Sequence, residues 1–130
     1  NTGGSTGTAG NTGSASADNA SHVDLLAALI QCEAGAESYE GKLAVGSVVM
    51  NRVKSSLFPN TVLGVIYQSG QFSPVSSGRF ILTLTSGTTQ ECKNAAKEAI
   101  NGTSNVGSCL YFRHVSSGKE GIVIGNHVFY

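Results

Sequence analysis

The sequence predicts an α+β fold, and three observations carry that expectation. Apolar residues recur at helical spacing over three long segments in the first hundred residues. Short β-type runs, CLYFRH, GIVI and HVFY, crowd the last quarter. Helices that precede a group of strands, without alternation, make a helical layer with a separate small antiparallel sheet.

From Ser21, with Asp24 three residues on as a capping box, Leu25, Leu26, Leu29 and Ile30 give the first helix its apolar face, and Gly35 ends it. Ser38 or Glu37 opens a second helix reaching about Lys54, where Leu43, Val45, Val48, Val49 and Val53 alternate with Ala44, Gly46 and Ser47. Small residues beside large ones predict a central, closely packed helix. Phe58-Pro59-Asn60 breaks the chain, and Thr61 caps a short helix carrying Val62, Val65 and Ile66. Tyr67 to Phe80 has the composition of a loop rich in polar and aromatic groups. Thr88 or Thr89 begins a further helix that runs to about Ile100. Cys109–His114 and Gly121–Ile124 then read as two strands joined through a Ser-Ser-Gly turn, with His127–Tyr130 as a third after Gly125-Asn126.

Ahead of this domain, residues 1–20 hold small and polar residues with four alanines, the composition of a flexible linker that tethers residues 21–130 to something upstream. At 130 residues the chain has room for one core. Eight acidic residues balance eight basic ones, with no basic block, so neither nucleic acid nor a membrane is expected as partner. A neutral polymer or small molecule fits better. No Walker-type loop, zinc spacing or dinucleotide fingerprint is present, so no metal and no cofactor is expected. The three cysteines, Cys32, Cys92 and Cys109, form no metal knuckle; a Cys92–Cys109 disulfide is expected to close the Asn-Gly-rich connection between them.

One carboxylate stands out. Seven residues at about 100° each bring Glu33 within about 20° of Leu26, so whatever buries the first helix also crowds Glu33. Burial and the negative end of a helix both raise a carboxyl pKa, the condition a general acid requires. The competing readings are a helix that stops short of Glu33, leaving it in water, or an ion pair with Arg52 or Lys42.

The run CEAGAESYEGKLAVGSVVMNRVKSSLFPNTVLGVIYQSGQFSPV, Cys32 to Val75, followed by Tyr111-Phe112 and the terminal IGNHVFY, resembles the catalytic domain of spore cortex-lytic, SleB/CwlJ-type cell-wall hydrolases over about residues 22–130. The resemblance implies a lysozyme-like, goose-lysozyme or lytic-transglycosylase type of fold, acting on peptidoglycan glycan strands; a monomer, secreted to the cell wall or spore cortex, is expected. It also implies that Glu33, matching the glutamate that opens the family's motif, is the catalytic acid, and that Glu37 matches the motif's second glutamate. Cys32 departs from the small or apolar residue expected before that glutamate and is not read as catalytic.

A glycan hydrolase uses two carboxyls, about 5–5.5 Å apart when retaining and about 6.5–9.5 Å when inverting. Glu37 and Glu40 are the candidates for a second one, although either can equally serve a helix start. Glu91, Glu98 and Glu120 read as solvated. A lytic transglycosylase needs Glu33 alone, because the sugar's C6 hydroxyl attacks C1 and leaves a 1,6-anhydromuramoyl end. Sugar contacts are expected from Tyr67, Gln71, Phe72 and Ser73, with Phe72 also a core candidate, and from Asn126 and His127 at the groove border. Asn51 and Arg52 read as supporting residues. Two further classes stay open: a thiol peptidase or amidase built on Cys32 or Cys109 with His114 or His127, and a noncatalytic peptidoglycan-binding module.

Overall fold

The computed structural model describes residues 20–130, with side chains described from residue 22. The expected linker therefore lies outside the described residues but for its last one. Helices come first: α1 (Ala20–Ala34), α2 (Tyr39–Lys54), α3 (Val62–Tyr67), α4 (Ser73–Ser77), α5 (Arg79–Ser86) and α6 (Gln90–Ile100). Strands β1 (Phe112–His114), β2 (Ile122–Ile124) and β3 (His127–Phe129) follow, with a 3-10 turn over Val115–Ser117 between the first two.

Helix α1 begins one residue before its expected cap and is buried more completely than a stripe requires. Leu25 through Ile30 are all at most 4% exposed, the two alanines included. A helix apolar all round sits inside its bundle, and α1 is enclosed by α2, α5 and α6. Leu26, Leu29 and Ile30 each contribute on the order of 1.5–3 kcal/mol by leaving water. Helix α2 is central as expected, buried without a break from Gly41 to Val49. Gly46 explains how it comes so close: a Cβ there would stand 3.0 Å from the Ala99 Cβ of α6 and 3.2 Å from Ile30 Cδ1 of α1. Side-chain caps settle three of the helix starts. Ser38, Thr61 and Thr89 accept hydrogen bonds from the amides of Gly41, Gly64 and Cys92 at 3.3, 2.9 and 3.2 Å.

Three expectations are corrected. The segment from Tyr67 to Phe80 is not one loop, because Ser73 to Ser77 and Arg79 onward are helical, jointed at Gly78, whose φ of 86° closes α4 and opens α5. The strands do not form a hairpin across Ser-Ser-Gly either. The order is β1-β3-β2, so the terminal strand is the central one, pairing Phe112 with Phe129 on one side and Ile122 with Phe129 on the other. Finally, all three cysteines are free. Cys92 is wholly buried in the apolar cluster around α1, as a small hydrophobe.

Two side chains of α2 hold the chain leading into the sheet. Asn51 Nδ2 donates to the carbonyls of Gly107 and Cys109, both at 2.9 Å, and Arg52 Nε donates to the Leu110 carbonyl at 2.7 Å. Arg52 is 4% exposed, with its guanidinium over the rings of Phe58, Phe72 and Tyr111 at 4.7, 5.3 and 5.4 Å. The sheet is thereby anchored to the central helix.

Candidate active site

Glu33 lies in the last turn of α1, where the enclosed helix emerges from its neighbours, and is half-buried. Burial pushes its carboxyl above the ordinary range, and the nearby Arg79 guanidinium pulls it part of the way back. Neither expected ion-pair partner is there. Lys42 Nζ binds Glu91 at 2.7 Å and the Glu37 carbonyl at 2.6 Å, while Arg52 faces Leu110 and Gln71. Glu91 is thus paired, and Glu98 accepts from the Tyr39 hydroxyl, instead of either being merely solvated.

Arg79 was not singled out from the sequence. Its signal is its place as the one cation between Tyr67 and Phe80, in a segment that turns out to be helical and to pack on α1. Its Nη2 donates to the Cys32 carbonyl at 3.1 Å, and the Cys32 thiol donates to Thr83 Oγ1 at 3.4 Å. Cys32 and Cys109 make no hydrogen bond to a histidine among the described residues, which leaves the thiol-nucleophile reading without a base.

Four residues after Glu33, a second carboxylate has the opposite surroundings. Glu37 accepts from the Asn126 backbone N–H at 3.1 Å through Oε1 and from Asn126 Nδ2 at 2.9 Å through Oε2. Those bonds, the side-chain one foremost, hold its pKa below the ordinary range. The β2–β3 turn makes this possible: Gly125 has φ 59°, and a Cβ there would run into Glu37 Oε1. Asn126, expected at the groove border, is therefore bound to the glutamate motif itself. His127, its neighbour, packs against Phe112 with ring centroids 5.4 Å apart, and burial lowers its pKa, which favours the neutral ring. Its Nδ1 is buried without a partner among the described residues. Glu40 stands apart, exposed in the first turn of α2.

The expected sugar-contact residues divide. Tyr67, Phe72 and Ser73 line a cleft of about 320 Å³ together with Gln68, which sequence reasoning passed over. Gln71 does not line it; its Oε1 accepts from Arg52 Nη1 at 3.0 Å. Tyr67 is 44% exposed and available to a ligand, whereas Phe72 is 6% exposed, as its core character suggested. Phe72 stacks on Phe112 at 6.4 Å, and Phe112 touches His127, so one aromatic chain joins the cleft to the hairpin. Glu33 does not line the cleft, but α3 and α4, which contribute lining residues to it, both pack on α1. No helix among the described residues is long and apolar enough to cross a membrane.

Comparison with known proteins bears on the family and the fold. A family model described as Cell Wall Hydrolase matches residues 36–130, starting three residues beyond Glu33. A spore cortex-lytic enzyme of Oceanobacillus iheyensis is 34% identical over 115 residues, covering 82% of this chain and 40% of that protein. The enzyme of the same name from Bacillus subtilis is 31% identical, covering 82% of this chain and 36% of its own length. The chain thus spans about two fifths of the curated relatives it matches. Among solved structures, the catalytic domain of the germination-specific lytic transglycosylase SleB from Bacillus anthracis superposes with a TM-score of 0.72 at 33% identity, covering 83% of this chain and 92% of that one. The SleB catalytic domain of Bacillus cereus gives 0.71 at 34% identity, covering 83% and 88%. The α+β, lysozyme-like fold expected from the sequence is the fold of these domains. With the family model matching most of the chain, and relatives above 30% identity matching more than four fifths of it, this protein belongs to the cell wall hydrolase family.

Proposed function

We propose that this domain cleaves the glycan strands of peptidoglycan as a lytic transglycosylase, with Glu33 as its single acid and base. The observation that carries the reading is the contrast between its two motif carboxyls. Glu33 is pushed toward the protonated form by burial, whereas Glu37 is pulled toward the ionised form and occupied by Asn126. One is shifted toward the protonated form that an acid needs; the other is engaged in holding a turn.

In the step we infer, the Glu33 carboxyl protonates the glycosidic oxygen as the bond from C1 to that oxygen breaks. The C6 hydroxyl of the same sugar then attacks C1, and its proton passes to the Glu33 carboxylate. The acid is restored, a 1,6-anhydro end forms, and no water is consumed. The cleft with Tyr67, Phe72, Ser73 and Gln68 would bind the strand through ring stacking and hydrogen bonds to hydroxyl and acetamido groups. The residue range 21–130 acts as the catalytic unit in this reading, outside the cytoplasm, in the cell wall or spore cortex. Similarity to spore cortex-lytic enzymes supports the substrate, and similarity to the germination-specific lytic transglycosylase of Bacillus anthracis supports the type of cleavage.

Digestion of purified peptidoglycan followed by mass spectrometry tests the reading. Fragments one water lighter than hydrolysis products are expected. Reducing-end muramic acid as the first product would move the assignment to a two-carboxylate hydrolase recruiting Glu37 or Glu40. Binding to the wall without any scission would leave a noncatalytic module.

A further inference from the structure

We propose that Arg79 is a positioning residue for this reaction: its guanidinium, tied to the end of α1, keeps Glu33 able to act first as acid and then as base. The inference rests on the role given to Glu33 above.

Its foundation is a seam between α1 and α5. Arg79 and Thr83 are four residues apart and so share a face of α5. Both engage Cys32, the residue before Glu33: Arg79 donates to its carbonyl at 3.1 Å, and its thiol donates to Thr83 at 3.4 Å. The carbonyls of a last helical turn lack partners within the helix. Arg79 supplies one, and in doing so its charge is set beside position 33. This also gives Cys32 a part to play, as the residue that registers α5 on the end of α1.

Other charges are placed elsewhere. On α1 itself, Asp24 is nine residues away, about 13 Å along the axis, and His22 lies beyond it. On α2, Lys42 is bound to Glu91 and Arg52 to the Leu110 carbonyl, while Glu40 and Lys54 are exposed. Helix α6 brings Glu91, Lys93, Lys97 and Glu98; α3 brings Tyr67; α4 brings no titratable group. Arg79 is the charge that acts on the Glu33 carboxyl, against the effect of burial.

The chemistry needs both influences. A carboxyl only desolvated gives its proton reluctantly, because the carboxylate left behind is uncompensated. A carboxyl only paired with a cation is already ionised and has no proton to give. Half-burial with a guanidinium on the adjoining Cys32 carbonyl holds Glu33 between these limits, which is where a group used in both directions works best.

Arg79→Gln and Arg79→Lys provide the test, with folding checked by circular dichroism. In Arg79→Gln the high-pH limb of kcat/KM is expected to move to higher pH, and kcat to fall roughly tenfold with KM little changed. A carbon-13 titration of the Glu33 carboxyl should move the same way. Arg79→Lys, which keeps the charge, should bring both back toward the wild type. Should Arg79→Gln fail to fold, raising salt on the wild-type protein weakens the pull of this cation, and the Glu33 titration should move up. Superimposable titrations of Arg79→Gln and wild type, or a wild-type titration unmoved by salt, would overturn the proposal. Because the titration is read without turnover, wall cleavage persisting without Glu33 would remove the proposed function and leave this measurement standing.

Discussion

Glu33 and Glu37 are the same residue type, four positions apart in one motif, and the fold treats them in opposite ways. Glu33 lies in the last turn of a helix whose middle is fully buried, so its carboxyl is half-withdrawn from water just beyond Leu29 and Ile30. Glu37 lies past the end of that helix, where the terminal hairpin meets it with two N–H donors. A carboxyl's chemistry is set by which element ends beside it and which backbone amides can reach it, not by the local sequence. In the proposed mechanism the difference separates a proton donor from a clamp.

Removing the donor should have the largest effect. Glu33→Gln keeps the shape but has no proton to transfer, so turnover should drop by about 10²–10⁴ with the fold retained, read by assays on purified cell wall and by thermal unfolding. The sign of the stability change follows from its raised pKa. The folded protein holds this proton to higher pH than the unfolded chain, so stability falls as pH rises from the unfolded pKa through the folded one. The neutral glutamine escapes that loss, and Glu33→Gln should be at least as stable as wild type at neutral pH.

Next comes the hinge of the clamp. Gly125→Ala forces a side chain onto a left-handed backbone and into the Glu37 carboxylate, so about 1–3 kcal/mol of stability should be lost, measured by denaturant unfolding. Glu37→Gln should be milder, since an amide oxygen can still accept one of the two bonds; turnover is expected to fall by less than about tenfold. Its pH signature is the reverse of that of Glu33. With its pKa depressed, the ionised Glu37 contributes stability above its unfolded pKa that is lost as pH falls through the folded one. Glu37→Gln should therefore flatten part of the acid limb of the stability curve. Glu40→Gln, at an exposed position, should change stability by no more than about 0.5 kcal/mol and turnover by less than about twofold.

The contrast was half visible in the sequence. Heptad spacing from Leu26 is enough to place Glu33 against the core, because a helix carries its periodicity in local residues. Glu37 was legible only as a candidate, since its partner lies 89 positions away in a two-residue turn. The same limit explains the sheet. Strands of three residues hold too little pattern to say which neighbours which, and the terminal strand took the centre. Arg79 was hidden for a different reason: α5 leaves Ile81 and Leu82 at 48% and 65% exposure, so its apolar residues do not trace a core-facing stripe. The disulfide expectation rested on the short connection between Cys92 and Cys109, whereas the place of Cys92 in the helix packing makes it a core residue.

The most direct measurement is a carbon-13 titration of the Glu33 and Glu37 carboxyls in one sample of the folded protein, assigned by Glu33→Gln and Glu37→Gln. The account predicts that Glu33 titrates above the range of a free glutamate and Glu37 below it, with the order unchanged across moderate salt. A Glu33 carboxyl that ionises at or below the pH at which Glu37 does would contradict it.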